Sequence, residues 1–222
     1  MRIKGCIFDL DGVIVDTAKY HFVAWRKLAN DLGFDFTEKE NEKLKGVSRV
    51  DSLNLILSWG GINFSDNIKK DLAAKKNDEY LSFIKKMTSD EILPGVVELL
   101  DEVKALGLKI ALGSASKNAV TILKQVNLID YFDTIIDGTS VTHGKPHPEG
   151  FLLAASQMEI DPRECIVFED AEKGIQAALS GEMYCVGIGS EDDLGKAHLV
   201  VPNMAGRKFQ DFKEGVLPSK SV

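Results

Sequence analysis

The sequence predicts an α/β protein: a Rossmann-like, doubly wound parallel sheet core with an inserted helical cap domain. Three observations carry this. From Pro94 onward, short apolar runs alternate with stretches of helical periodicity. Those runs are almost continuously apolar, as strands covered on both faces are. Between residues 17 and 87 the chain carries helical periodicity with no convincing strand. The expected division is therefore a core of residues 1–16 and 88–222 and a helical cap of residues 17–87. The two crossings, at Asp16-Thr17 and Thr88 to Pro94, make a natural hinge.

The first strand is expected in the run Ile3-Lys4-Gly5-Cys6-Ile7-Phe8, which ends at Asp9-Leu10-Asp11-Gly12-Val13. Helical spacing then covers Tyr20 to Leu32, Asp51 to Trp59 and Asp66 to Met87, with turns at Phe34 to Thr37 and Gly60-Gly61. After Pro94-Gly95, apolar residues from Val96 to Leu106 repeat at helical spacing, and Gly107 fits the C-terminal stop. Leu108 to Gly113 reads as a strand, Asn118 to Val126 as a helix and Thr134-Ile135-Ile136 as a short strand. Pro148 to Met158 suggests a helix with proline near its start, where a missing N–H costs little. Ile166-Val167-Phe168 and Tyr184 to Ile188 read as strands around a helix from Ala171 to Ser180, and Leu199-Val200-Val201 as a final edge strand. The tail from Gly215 is expected to be loosely held.

Composition narrows the function classes. With 27 basic against 34 acidic residues the net charge is −7, which argues against nucleic acid or an anionic membrane as partner. A small anion remains open, because a few local cations can override the total. No run of 18 apolar residues and no signal-peptide pattern occurs, so the expectation is a cytoplasmic protein that spans no membrane. Cys6, Cys165 and Cys185 each lie in an apolar run and read as reduced, buried small hydrophobes. No CxxC or similar spacing occurs, which disfavours zinc.

Four polar clusters follow predicted strands. Asp9 and Asp11 come first; residues two apart on an extended chain point the same way, and a hard cation such as Mg2+ would relieve their repulsion. A strand-to-turn junction rich in Asp and Gly explains the pair equally well when it is taken alone. Ser114-Ala115-Ser116-Lys117-Asn118 is a hydroxyl-bearing turn that opens a helix and could present N–H and O–H groups to an anion, although Ser116 also fits an ordinary cap. Lys145 lies in the stiff loop Gly144-Lys145-Pro146-His147-Pro148, where the plain alternative is a solvated lysine. Glu169-Asp170 is a second acidic pair at the end of a second apolar strand, though Asp170 could cap the next helix. Ligands of open parallel sheets bind outside the carboxyl ends of the strands, so the four clusters should share one crevice. Their residues suit a divalent cation and a phosphate, with a carboxylate left to attack phosphorus.

Taken in this order, Asp9-Leu10-Asp11-Gly12-Val13, Ser114, Lys145 and Glu169-Asp170 resemble the four motifs of the haloacid dehalogenase superfamily. The helical block resembles its cap. More narrowly, Asn41 to Arg49, Lys75-Lys76-Asn77-Asp78 and Ser114 to Asn118 are similar to segments of the β-phosphoglucomutase family. That resemblance implies an isomerase interconverting β-D-glucose 1-phosphate and glucose 6-phosphate through an aspartyl phosphate and an enzyme-bound 1,6-bisphosphate. It implies Asp9 as nucleophile, Asp11 as general acid/base, and Mg2+ held by Asp9, the Asp11 carbonyl, Glu169 and Asp170. Ser114 and Lys145 would hold the transferring phosphoryl group; Arg49, with Ser116, Lys117 and Asn118, would bind the other phosphate. Thr17 would lie at the hinge and His21 would assist Asp11, while Trp25, Lys45, Gly46 and Lys76 would shape the cap side. Without the resemblance, His21 and Trp25 (i and i+4 on one helix face) read as cap packing, and Arg49 and Lys76 as solvated charges. Two departures from the family pattern are Ala171, in place of a serine, and His147. The implied partners are small sugar phosphates, and a hinged cap is compatible with a monomer. A sugar-phosphate phosphatase and a non-catalytic phosphosugar-binding protein remain the alternatives.

Overall fold

A computed structural model describes residues 2–217. Its sheet has six parallel strands: β1 (Gly5–Phe8), β2 (Lys109–Gly113), β3 (Thr134–Ile136), β4 (Cys165–Glu169), β5 (Tyr184–Ile188) and β6 (Leu199–Val201). Their spatial order is β3-β2-β1-β4-β5-β6. The chain therefore winds outward from β1 in one direction and then returns to β1's other side with β4. That reversal puts the topological switch point between β1 and β4, where a crevice opens at the carboxyl ends of the strands.

The strands are apolar throughout because both faces are covered. Cys6, Phe8, Ile110, Leu112, Ile166, Phe168 and Val186 pack on one side, against α5 (Val96–Ala105), α6 (Ala119–Gln125) and α10 (Phe209–Val216). Ile7, Ala111, Ile136, Cys165, Val167 and Cys185 pack on the other, against α7 (Glu149–Gln157), α8 (Glu172–Ser180) and the short α9 (Glu191–Leu194). Successive strand residues thus alternate faces. Phe8 stacks on Phe168, with ring centroids 4.6 Å apart, and ties the two central strands together. The three cysteines are buried and free, and burial raises each thiol's pKa.

Four helices lie between β1 and the second crossing at Thr88 to Pro94: α1 (Ala18–Asp31), α2 (Glu38–Glu42), α3 (Arg49–Trp59) and α4 (Asp66–Ile84). They share an apolar centre of Trp25, Leu28, Phe36, Leu53, Ile56 and Leu57. α2 falls in a stretch the periodicity left unassigned; a Thr37–Glu40 capping box starts it, a local signal independent of apolar spacing. The segments leading into and out of this block run side by side. Val15 bridges Ile92, the Asp16 amide donates to the Glu91 carbonyl at 3.1 Å, and the Leu93 amide donates to the Ile14 carbonyl at 3.0 Å.

The expectation for the tail needs correction. Gly215 and Val216 belong to α10, whose Phe209, Phe212 and Val216 are buried against the sheet. Spacing of i, i+3 and i+7 anchors this helix. Residues 218–222 of that tail lie outside the described residues.

Candidate active site

β1 stops at Phe8, so Asp9 is the first residue past the strand and Asp11 lies in the loop after it. The Asp9 amide donates to the Phe168 carbonyl at 3.0 Å, which places Asp9 beside Glu169 at the end of β4. Lys145 joins the two chain ends. Its ammonium donates to Asp9 Oδ1 at 2.5 Å and also to Glu169 Oε1, and its side chain is only 8% exposed. These charges make Lys145 a firmer base than a free lysine, despite its burial. Glu169 is fully buried and accepts the Ala171 amide at 2.8 Å, and burial raises its pKa. Burial also pushes the Asp170 carboxyl well up, with repulsion from Glu169 and Asp9 adding to it.

Two glycines make room for this acidic set. Gly12 has φ +85°, and a Cβ there would overlap the Asp170 carboxylate. A Cβ at Gly174, in the first turn of α8, would overlap the Glu169 carboxylate. Both positions are close-approach sites open to glycine alone. Asp170 does not cap α8, since the N-cap is Ala171.

Asp11 stands apart from the Lys145 cluster. The Thr17 hydroxyl donates to its Oδ1, and Thr17 itself is buried at the start of α1. Burial and the nearby Asp9 charge lift the Asp11 carboxyl to about 6, against the pull of Thr17, Lys76 and Lys145. A carboxyl near this value exchanges a proton readily close to neutrality.

A cavity of about 310 Å³ opens between the sheet ends and the helical block. Asp9, Asp11 and Asp170 line its floor together with Ser116, Lys117 and Asn118. His21, Trp25, Lys45, Gly46, Arg49 and Lys76 line the helical side. Ser114 and Lys145 border a narrower pocket of about 30 Å³ behind it. Ser116 is not the N-cap of α6, a place taken by Asn118; its hydroxyl accepts the Asn118 amide at 3.2 Å in a local turn. The Ser114 hydroxyl accepts the Ser116 amide at 3.0 Å. Lys45 reaches Asp170 at 3.8 Å and Glu42 at 2.8 Å.

The cationic wall is the unusual part. Lys76 is 3% exposed, its ammonium 4.4 Å from the Trp25 ring centroid and 4.7 Å from that of Tyr80. Its hydrogen-bond partner is His21 Nδ1 at 2.8 Å. Burial, with repulsion from Arg49, lowers the Lys76 pKa to about 7. His21 is driven well below its ordinary value by burial and by both cations, so it is neutral and accepts from Lys76. Arg49, half-buried at the first residue of α3, has no hydrogen-bond or ion-pair partner among the described residues. Two cations thus face the carboxylates across the cavity without a bonded acid of their own.

Several lining residues fall outside the predicted set: Asn41, Ser52, Asn77, Tyr80 and Asn203. Asn77 accepts the Asn118 side-chain amide at 2.9 Å, a direct link between α4 and the loop after β2. Ser52 and Asn41 are buried polar groups, and the Tyr80 hydroxyl is buried with no well-formed hydrogen bond among the described residues. Their signal in sequence is faint, because a single serine or tyrosine on an apolar helix face is ordinary. Tyr80 alone was reachable, as it follows Lys76 by one turn on α4.

A profile of haloacid dehalogenase-like hydrolases matches residues 3–181. The chain belongs to this family. It is 43% identical over 201 residues to a β-phosphoglucomutase of Bacillus subtilis, covering 90% of this chain and 89% of that protein. A phosphorylated carbohydrates phosphatase of Thermotoga maritima is 33% identical over 181 residues, with 80% and 81% covered. The crystal structure of β-phosphoglucomutase from Clostridium difficile superposes with a TM-score of 0.93 at 46% identity, covering 96% of this chain and 97% of that one. Among the described residues, no helix is long and apolar enough to cross a membrane.

Proposed function

We propose that the chain is a β-phosphoglucomutase, converting β-D-glucose 1-phosphate to glucose 6-phosphate through an aspartyl phosphate on Asp9 and a 1,6-bisphosphate. The observation that carries this reading is the pair Arg49 and Lys76 on the wall opposite Asp9 and Asp11. Phosphoryl transfer needs one anion site at the nucleophile. A mutase needs a second, so that the bisphosphate can be held in either orientation. A planar, bidentate guanidinium suits that second phosphate.

In this reading Asp9 attacks phosphorus, and its bond to the transferring group forms as the bond to the leaving oxygen breaks. Asp11, with its pKa lifted to about 6, gives the proton to the leaving hydroxyl or takes it from the attacking one. Lys145, already bonded to Asp9, offsets charge on the phosphoryl oxygens, and Ser114 beside it donates a hydroxyl. Arg49, Lys117, Ser116 and Asn118 hold the distal phosphate. Lys76, with neutral His21, Lys45, Trp25 and Gly46, shapes the sugar side.

The donor chemistry fits Mg2+. Asp9 and Glu169 share Lys145, the ion-pair partner of Asp170 among the described residues is a more distant Lys45, and all three present the oxygens a hard cation takes. Asp9, Glu169, Asp170 and the Asp11 carbonyl would hold it, and when bound it supplies charge neutralisation at the phosphoryl oxygens. The Bacillus subtilis and Clostridium difficile relatives named above support the mutase reading. The Thermotoga maritima phosphatase marks the alternative, in which water takes the phosphoryl group.

The test supplies β-glucose 1-phosphate, Mg2+ and a trace of the 1,6-bisphosphate. Glucose 6-phosphate should form far faster than orthophosphate, and Asp9→Ala should stop it. Rapid orthophosphate release without glucose 6-phosphate would refute the mutase reading.

A further inference from the structure

The loop carrying Lys145 holds a second polar constellation that phosphoryl transfer does not use. We propose that His143, His147 and Glu149 form a binding site for a borderline divalent cation of the zinc, copper or nickel class. Their donor atoms all lie within 4.8 Å of one another. Two imidazoles and a carboxylate are the ligand set such ions prefer, whereas Mg2+ favours oxygen alone. Among the described residues no cysteine takes part in such a cluster. These donors are imidazole and carboxylate at the surface.

The carboxylate is held in place. Glu149 Oε1 accepts the Thr142 amide at 2.7 Å and Oε2 accepts the His143 amide at 2.9 Å, so the backbone fixes the anion before any metal arrives. Pre-oriented ligands of this kind strengthen metal binding. His143 Nδ1 already lies 2.9 Å from Glu149 Oε2, and the two imidazole centroids are 4.8 Å apart. His147 Nδ1 stands 4.0 Å from the same oxygen. Bonds of about 2 Å in a tetrahedral site put ligand atoms about 3.3 Å apart, so small rotations of two exposed side chains close the site. Water would complete the coordination.

Position gives the site a consequence. His143 and His147 flank Lys145 by two residues on each side, and all three border the narrow pocket beside Ser114. A cation bridging the imidazoles clamps the loop whose lysine joins Asp9 to Glu169.

The experiment titrates Zn2+ calorimetrically into the full-length protein with Mg2+ in large excess, so that the Asp9 cavity is shielded. Wild type should bind one zinc equivalent that His143→Ala/His147→Ala loses or binds at least about tenfold more weakly. Glu149→Gln, which keeps its shape, should also weaken binding. Cu2+ bound under the same conditions should show nitrogen hyperfine structure in its EPR spectrum, lost in the double variant. Unchanged unfolding temperatures without added zinc would establish that the variants are folded. Equal zinc affinity in wild type and double variant, or no binding by wild type, would overturn the proposal. So would zinc inhibition identical in both, which would locate the ion at the Asp9 cavity instead.

Discussion

Replacing Lys76 with methionine should stabilise the protein at pH 6 and damage substrate binding at the same time. The side chain is 3% exposed, and methionine fills much the same volume between Trp25 and Tyr80. Moving the ammonium pKa from 10.5 to about 7 corresponds to about 5 kcal/mol against the charged form. The cation also sits over two aromatic rings, and each such contact returns about 1 to 2 kcal/mol when desolvated. A net gain of about 2 kcal/mol for the variant at pH 6 remains. The sign follows from proton counts. Between pH 7 and 10.5 the unfolded chain keeps this proton while the folded chain has lost it, so wild-type stability rises with pH across that window. The advantage of Lys76→Met is therefore full below pH 7 and fades towards pH 10. Urea unfolding of both proteins from pH 6 to 10 measures it. A variant less stable than wild type at pH 6, or a difference flat across the range, would refute the account. With substrate the order reverses. A lost charge-assisted contact worth about 1.5 to 3 kcal/mol raises the KM for β-glucose 1-phosphate about 10- to 150-fold.

Three more outcomes are expected. Arg49→Ala should raise KM by a similar 10- to 150-fold factor, and Arg49→Lys should recover little of it, because an ammonium cannot make the paired contacts of a guanidinium; steady-state kinetics checks both. Gly12→Ala should cost at least about 2 kcal/mol, read as a lower unfolding temperature, because φ is +85° and the new methyl meets Asp170; Mg2+ affinity should fall with it. Thr17→Val removes the hydroxyl that donates to Asp11 and lowers its pKa, so the Asp11 pKa should rise and the acid limb of the kcat/KM profile should move to higher pH.

The sheet was legible because parallel strands buried on both faces leave an unambiguous trace. All six runs read from the sequence are strands, down to the three residues of β6 at the edge. Three helices escaped: α9, whose four residues are too few to show a period, and α2 and α10 for opposite reasons. α2 has five residues and one buried side chain, so its sequence carries a cap but no period. α10 has a clear period in Phe209, Phe212 and Val216, but it lies near the chain end, where loose structure is the usual expectation. At the site, charged residues at strand ends stood out because packing offers no reason for them. Ser52 and Asn77 did not, since their place at the cavity is set by how α3 and α4 lie over the strand ends. No local pattern encodes that.

The charges of the site are divided between its two halves, and in the proposed reading this division favours transfer to a sugar over transfer to water. The acids sit at the ends of β1 and β4, fixed by the sheet register and by Lys145. Arg49 and Lys76 sit on α3 and α4, in the block joined to the core by the paired segments at Val15–Asp16 and Glu91–Leu93. In the proposed reading, a phosphate bound to Arg49 draws the helical side toward the acids, and its charge relieves the cost of burying the neighbouring Lys76 in its charged form. Water offers no such anion. A sugar phosphate thus brings its own closing force, whereas hydrolysis must proceed with the cations unsatisfied. The same contact between α4 and the core can be probed without substrate, because the Asn118 amide already reaches Asn77 at 2.9 Å. If closure is what excludes water, Asn77→Ala should raise orthophosphate release relative to glucose 6-phosphate formation. A ratio unchanged from wild type would place the discrimination in the cations alone.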